Sequence, residues 1–561
     1  MPINKILLIN PPIQDFYQTE IRQQPLGLKY IQAVLENEGY ETCLLDSLAH
    51  HKKPTIPIPP HFNYLKAYYP PNDLSPFKLF SHYRHFGLSF PELSREIQNS
   101  HPDLIGISVN FTPYFDMALA TARLCTSIFP NVPIVAGGHH ATAAPERVLQ
   151  SGPFDFVILG EGEQRILQLI RSISDNDFSL IKKIDGIAYR EHDRVIITPI
   201  TSYIDDLDHL PILNIKNDPA LLITSRGCPK NCNFCSIAKV MGKKVRFRSI
   251  EAVIQEIETG IKNGVRKFDF EDDHLTINQD RARQLLNEII TRFGHYGLTL
   301  SAMNGLMADT LDDELIQLMK LAGFEWLNIP LVSGSPEIQN KIDRNQSDRH
   351  FLNVVAWAQT YGLKIVAYLI LGLPEDRPDQ MIDDVIFLAG LPVLIGPSLF
   401  YPPPGSATFN NCIDRGYISG TDYALYRSSA VPLETENFSR QDLITVFRIV
   451  RAINFVKGLI DKYFTGDQYL TRFLQSPGRE SDSLTFHRKL TPEEIGILLI
   501  DQLFQHRRLR GLRLKKQSGD EFEYDWIDYK ITPDLVTRFV TKIDKKTIAG
   551  IAKPFQMILS N

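Results

Sequence analysis

The stretch "SRGCPKNCNFCS", residues 225–236, holds Cys228, Cys232 and Cys235 in the spacing Cys-x3-Cys-x2-Cys, with Phe234 just before the last. It follows directly on "ALLITS" (220–225), a short apolar run that reads as a strand. Downstream the pattern repeats in "RKFDF" (266–270), "LTLSA" (298–302), "EWLNIP" (325–330), "KIVAYL" (364–369) and "VLIGPSLF" (393–400). Helical segments separate these runs, such as "LDDELIQLMKLAG" (311–323), which Thr310 and Asp313 are expected to cap. Six such βα units predict a partial (β/α)6 barrel, with chemistry at the carboxyl ends of its strands. The cysteines stand after the first strand, where that architecture puts a site.

A cysteine metal site ordinarily takes four soft ligands, and this loop offers three. A Cys3His zinc site would draw on His209 or His274, neither at a close finger-like spacing. An all-cysteine electron-transfer cluster would need Cys412 as its fourth ligand. Cys43, Cys125 and Cys412 are scattered and read as small buried apolar residues in a reducing compartment.

Upstream, apolar runs at "KILLIN" (5–10), "ETCLLD" (41–46), "LIGISV" (104–109), "PIVAGG" (133–138) and "FDFVILG" (154–160) alternate with helical patterns. One of these, 26–39, closes on Gly39. Such strands predict a doubly wound parallel sheet covered on both faces, with ligands outside the carboxyl ends of its strands. The loops there are "NPP", "VNFTPY", "GGHH" and "GEGE". A hairpin ("GIAYR", "RVIITP") and a turn-rich linker precede the barrel.

The α/β chain thus divides into a Rossmann-type sheet domain (1–200), a linker (201–219), the barrel (220–430) and a smaller, mostly helical C-terminal domain (431–561). A Pro-, Tyr- and His-rich segment at about 50–90 can hold neither a long helix nor a central strand, and reads as a lid or a surface embellishment. The basic stretch "HRRLRGLRLKK" (506–516) reads as a solvated helix or strand face, the alternative being a dock for an acidic substrate or reductant.

At 561 residues, 43% hydrophobic and 22% charged with net charge −5, the composition is that of a soluble globular protein. It gives no electrostatic reason to expect a nucleic acid or membrane surface as partner. The N-terminus lacks the features of a signal peptide, and the longest uncharged run (385–400) is broken by Pro392 and Pro397, so a cytoplasmic location is expected.

The cysteine spacing with its aromatic residue resembles the radical S-adenosylmethionine (SAM) superfamily. That resemblance implies a 4Fe–4S cluster held by three thiolates, its open iron chelated by SAM, and oxygen sensitivity. It also implies SAM contacts at Phe234, at Glu271, Asp272 and Asp273 in "FEDDHLT", at Ser333 and Gly334 in "LVSGSPE", and at Gly372 and Pro374 in "LILGLPED". In "LVSGSPE", Val332 replaces the family's acidic residue. "YPPPGSATF" resembles the ending of the family's core.

The N-terminal pattern resembles a cobalamin-binding domain: Ser108-Val109-Asn110 is followed by Gly137-Gly138 with 26 residues between. This implies cobalamin contacts at Ser108, Asn110, Gly137, Gly138, Gly160 and Glu161. After the second strand Leu48 stands where the cobalt-ligating histidine would be, so cobalamin is expected without a protein histidine. His50, His51, His139 and His140 are the possible substitutes.

Together the resemblances cover residues 1–410 and imply a cobalamin-dependent radical SAM enzyme. Cleavage of SAM at the cluster would give a 5′-deoxyadenosyl radical, used to methylate an unactivated carbon of a small molecule. The alternatives are an oxidoreductase or cyclase without net methyl transfer, and a radical SAM enzyme whose sheet domain no longer binds cobalamin. An electron donor such as flavodoxin or ferredoxin is the implied partner.

Overall fold

The computed structural model describes residues 3–17, 24–192, 194–463 and 483–543. Parts of the expected C-terminal domain, 464–482 and 544–561, lie outside the described residues.

Seven strands build the N-terminal sheet: β1 (Lys5–Asn10), β2 (Glu41–Asp46), β3 (Leu104–Ser108), β4 (Ile134–Gly137), β5 (Phe156–Ile158), β6 (Ile187–Glu191) and β7 (Arg194–Ile197). Their order is β7-β6-β5-β4-β3-β1-β2; β1 to β5 run parallel, and the hairpin β6–β7 adds an antiparallel margin. Side chains of one strand serve two cores. Leu7 and Ile9 join Ile105, Ile107, Ala136 and Val157 on one face, while Ile6 and Leu8 join Leu104, Val135 and Phe156 on the other. That double burial is why "KILLIN" carries almost no polar residue. Strand order reverses between β1 and β3, where doubly wound sheets open a ligand crevice.

Six strands follow: β8 (Ala220–Leu222), β9 (Lys267–Phe270), β10 (Thr299–Ser301), β11 (Trp326–Val332), β12 (Lys364–Leu371) and β13 (Leu394–Leu399). They pair in parallel as two trios, β8-β9-β10 and β11-β12-β13, which a parallel bridge between Leu300 and Phe324 connects. The first of these strands breaks after Leu222; Ser225 and Arg226 pair antiparallel with Phe247 and Arg246 instead. The helix Asp313–Ala322 is capped by Asp312, whose side chain accepts from the Leu315 amide, and not by the expected Thr310. Thr310 instead shares a hydrogen bond with Thr276 and donates to the Met307 carbonyl.

The C-terminal helix Arg440–Tyr463 packs on β13 and on the helix Pro378–Ala389. The region also holds an antiparallel sheet of β14 (Ser483–Phe486), β15 (Arg510–Ser518) and β16 (Glu521–Asp528), in the order β14-β16-β15. The basic stretch is therefore largely a strand, turned at Gly519 with φ +61°.

The 50–90 segment is neither a detached embellishment nor an open lid. Thr55–Ile56 and Tyr83–Phe86 form a small antiparallel sheet with Ile13–Asp15, and Phe62, Leu65, Tyr68, Tyr69 and Phe77 are buried in the core that runs on through the barrel and the C-terminal elements. Polar ties hold it there: Tyr69 donates to the Ser429 carbonyl (2.6 Å), the Leu74 amide to the Leu512 carbonyl (2.8 Å), and Tyr529 to the buried Asp73 (2.6 Å). Of the scattered cysteines, Cys125 and Cys412 are buried as expected, but Cys43 is exposed. No helix among the described residues is long and apolar enough to cross a membrane.

Candidate active site: the cysteine loop and the ends of the parallel strands

Residues 227–245 form a loop whose base is the ladder Ser225–Arg226 with Arg246–Phe247. Gly227 has φ +97°, and a Cβ there would lie 2.5 Å from the Lys244 carbonyl oxygen, so only glycine lets the loop leave its base. Asn233 ties the loop to two other elements. Its amide donates to the Ile342 carbonyl (3.1 Å), and its side-chain oxygen and carbonyl accept from the Thr408 hydroxyl (3.2 Å) and amide (3.0 Å) at the start of the helix Ala407–Asp414.

Arg344 Nη1 donates to Cys232 Sγ at 3.8 Å, placing a cation on one of the three sulfurs. Burial pushes the Cys228 and Cys235 thiols up, Cys235 to about 11, so loading metal on this loop releases protons. No three His, Cys, Asp or Glu side chains among the described residues converge on one point as ligands of a single ion. A 4Fe–4S cluster does not ask them to, because each thiolate binds a separate iron. Neither His209, exposed in its turn, nor buried Cys412 is placed as a fourth ligand in a closed site.

The three acids expected at the SAM ammonium have separate roles. Buried Asp272 accepts from the Thr224 amide (3.2 Å), the Thr224 hydroxyl (2.8 Å) and the Ser225 hydroxyl (2.5 Å), holding the strand end under the loop. Asp273 accepts from the Gly227 amide (2.9 Å), and burial lifts its carboxyl to about 6. Glu271, at the end of β9, meets the Asn304 side-chain amide at 3.2 Å.

Buried polar atoms without a hydrogen-bond partner include His274 Nε2 and Arg344 Nε, on residues whose charges act on each other, and, two residues on from Arg344, both amide atoms of Gln346. Burial lowers His274 to about 4 and keeps it neutral. A polar ligand is what such a set fits.

At the end of β11 the register slips between Pro330 and Val332, and Val332 takes φ +66°, a conformation a β-branched side chain resists. The kink presents Ser333 and Gly334. Ser333 donates to Asp384 (2.9 Å), and a Cβ on Gly334 would meet Asp384 Oδ1 at 2.8 Å. Ser335 caps the next helix. At the end of β12, Gly372 has φ +86°, and Asp376 accepts from the Gly372 (3.0 Å) and Leu373 (2.9 Å) amides, fixing the turn that carries Pro374.

Asp376 and Asp384 thus hold both turns from beneath, an arrangement visible only once the turns are folded. Burial, with Asp384 nearby, raises Asp376 to about 8. A carboxyl bound more tightly to its proton in the folded chain stabilises fully below its unfolded value of about 3.9, and that contribution is lost as pH rises through its folded value. Melting temperature is therefore expected to fall as pH rises from about 4 to about 8 and to level off above that. Asp376→Asn keeps an oxygen for both amides and is expected to remove a decline of up to about 1.4 kcal/mol per pH unit. Thermal denaturation of both chains across that range checks it.

Over the sheet domain, Ser108 and Gly137 lie side by side in register at the carboxyl ends of β3 and β4. Asn110 Oδ1 accepts from the His139 amide (3.2 Å) and pins the turn after them. Gly138 has φ +118°, and a Cβ there would meet the Val109 carbonyl oxygen at 2.9 Å; a Cβ on Gly137 would meet nothing within 4 Å. Packing explains Gly138. It does not explain Gly137, which leaves open space where a bulky cofactor fits. Gly160 joins this group through its amide, which donates to Thr142 (2.9 Å).

Glu161 does not. Its carboxylate is fully enclosed by Arg226 and Arg246, so it belongs to the junction with the barrel rather than to the ligand face. Leu48 is buried in a small apolar cluster with Ile13 and Phe86. His50 and His51 lie in a turn after β2, while His139 and His140 begin the helix after Gly138. The His140 ring packs between Phe115 (5.0 Å) and Tyr423 (4.6 Å), with Nδ1 on Thr112 (3.1 Å). That helix, His139–Ala143, contacts Ile237–Met241 of the cysteine loop, so the two candidate cofactor sites are neighbours.

Family models match both halves: the radical SAM superfamily over residues 222–388 and the B12 binding domain over residues 81–170. An uncharacterized methyltransferase of Pyrococcus horikoshii is 25% identical over 464 residues, 80% of this chain and 92% of its own. The cytidylyl-2-hydroxyethylphosphonate methyltransferase of Streptomyces wedmorensis is 25% identical over 474 residues (75% and 84%). The anaerobic magnesium-protoporphyrin IX monomethyl ester cyclase of Cereibacter sphaeroides is 24% identical over 409 residues (69% and 65%).

Among solved structures, the radical SAM methyltransferase TsrM of Kitasatospora setae with cobalamin and a [4Fe-4S] cluster aligns with a TM-score of 0.58 at 16% identity (73% of this chain, 75% of that one). The cobalamin-dependent SAM radical enzyme OxsB with aqua-cobalamin aligns at 0.59 and 14% identity (100% and 80%). These two share the fold. With a B12-binding match ahead of a radical SAM match on one chain, the protein carries the pair of domains found in the cobalamin-dependent radical SAM enzymes it resembles.

Proposed function

We propose that the protein is a C-methyltransferase that acts on an unactivated carbon of a small molecule, in the cytoplasm, with functional units at 1–200, 220–430 and 431–561 joined by the 201–219 linker. The observation that carries this reading is the juxtaposition of the two sites: the helix His139–Ala143, just after Gly137-Gly138, contacts the helix that follows the three cysteines. When bound, the cluster supplies the electron that cleaves SAM to a 5′-deoxyadenosyl radical, and cobalamin carries the methyl group.

Cys228, Cys232 and Cys235 would hold the cluster, and Phe234 would shield it. Glu271, at the end of β9, would receive the SAM ammonium, with Asp272 and Asp273 bracing the loop base beside it. Ser333 and Gly334 with Gly372 and Pro374 would present backbone to the rest of SAM, their turns fixed by Asp384 and Asp376. Ser108, Asn110, Gly137, Gly138 and Gly160 would line the corrin site, with no protein histidine on cobalt.

The loop from 228 to 245 carries Lys230, Lys239, Lys243 and Lys244 and no acidic residue. That charge suits an acidic electron donor such as flavodoxin or ferredoxin. The cyclase relatives favour a second reading, in which the same radical chemistry closes a ring without methyl transfer.

The test is anaerobic purification with cluster reconstitution and hydroxocobalamin, then metal analysis and a SAM-cleavage assay under reductant. About four irons by the three-thiolate cluster chemistry, one cobalt and release of 5′-deoxyadenosine are expected. Iron without cobalt removes methyl transfer and leaves radical chemistry alone.

A further inference from the structure

The base of the cysteine loop is bolted to the sheet domain through two carboxylates, of which Glu161 takes both arms. Arg226 and Arg246 face each other in the ladder that closes the loop, and both reach Glu161 in the "GEGE" turn after β5. Arg246 Nη1 lies 2.7 and 2.8 Å from the two Glu161 oxygens, and Arg226 Nη1 3.0 Å from Oε1. The second Arg226 nitrogen takes Glu163 at 2.7 Å. The Ile204 amide donates to Glu161 Oε2 (2.8 Å), adding the linker to the same point. Side-chain exposure is 0% at Glu161, 2% at Arg246 and 5% at Arg226. Beside it, a Cβ on Gly160 would meet the Val240 carbonyl oxygen at 3.1 Å, so the turn also abuts the helix of the loop.

We propose that Glu161 is a positioning residue that registers the cysteine loop against the cobalamin-binding sheet. This inference rests on the two-cofactor reading above. Arg226 is separated from Cys228 by Gly227 alone, and the two arginines are strand-paired. A shift at Glu161 therefore moves both arms of the loop together, and with them the thiolates. Buried charge pairs of this kind hold one geometry, because each partner is left unsolvated if the other moves away. Transfer between two held groups depends on such placement: a displacement of about 1 Å can cost on the order of 100-fold in rate.

The test compares the full chain with Glu161→Gln, which keeps the shape and an acceptor for Ile204 but removes the charge. In the holoenzyme, with the cluster reduced and the corrin as Co(II), pulsed EPR reads the separation of the two paramagnetic centres. The unchanged chain is expected to give one narrow distribution, and the variant, at full iron and cobalt content, a broadened or displaced one. The same narrow distribution in the variant overturns the proposal. If the variant takes up too little metal, Arg226→Lys keeps the charge but breaks the bridge between Glu161 and Glu163, and the same two outcomes apply.

Amide hydrogen exchange on the cofactor-free chain gives a second readout. Glu161→Gln is expected to raise exchange at 159–163 and 225–247 by 10-fold or more and to leave the rest unchanged; a uniform rise would mean a merely structural role. An unchanged chain that takes up iron but no cobalt fails the two-cofactor reading before any variant is compared.

Discussion

Cys232→Ala is expected to abolish release of 5′-deoxyadenosine from SAM while cobalt uptake stays at the level of the unchanged chain. Cys232 is the cysteine that accepts from Arg344, and two thiolates cannot hold three irons of a cluster. Its loop owes its shape to backbone bonds at Cys228, Asn233 and Cys235, so the fold at the base survives the substitution. The Ser108, Asn110 and Gly137 group stands on a different sheet with its own cores. Iron analysis, a SAM-cleavage assay and the cobalamin absorption spectrum of one preparation check all three parts. Loss of cobalamin from a folded Cys232→Ala chain would show that the sites cannot be loaded separately.

The two glycines after β4 are expected to fail in opposite ways. Gly137→Leu puts a side chain into open space, so folding stability is expected to change by no more than about 0.5 kcal/mol. The side chain fills the place assigned to cobalamin, and cobalt binding is expected to disappear. Gly138→Ala forces a side chain onto φ +118° and against the Val109 carbonyl, and is expected to cost about 1–3 kcal/mol of stability. Thermal denaturation with cobalt analysis separates the two. A Gly137→Leu chain that still binds cobalamin would move the corrin site away from β4.

Most strands were legible because parallel strands buried on both faces must be continuous apolar runs. "KILLIN" is such a run and matches β1 residue for residue; "ETCLLD" has the bounds of β2, but that edge strand is only partly covered. The cysteine loop was legible because its spacing is local. What escaped is what depends on distant partners. Glu161 sits in a glycine-rich turn like those that meet ligands, and nothing near it in sequence announces Arg226 or Arg246.

Asp376 and Asp384 were missed for the same reason, although Asp376, four residues after Gly372 in "GLPED", carried a signal: a short acidic side chain placed to accept from its own turn. The hairpin β15–β16 was also within reach, since "SGD" between two alternating charged and apolar runs is a turn. The cap of 313–322 went to Asp312 because its extended backbone, and not that of Thr310, directly precedes the helix.

The stapling of residues 50–90 to the C-terminal elements has a consequence for how the chain is made. Phe62, Tyr68 and Phe77 emerge from the ribosome hundreds of residues ahead of Leu512 and Tyr529, to whose region they are tied. The five parallel strands of the first sheet can pair early, since the last of them ends at residue 158. The aromatic segment cannot. Vectorial synthesis leaves it without its last partners until residues 512–529 have emerged, so over that stretch of elongation the nascent chain carries an adhesive apolar surface, a natural client surface for a holdase chaperone.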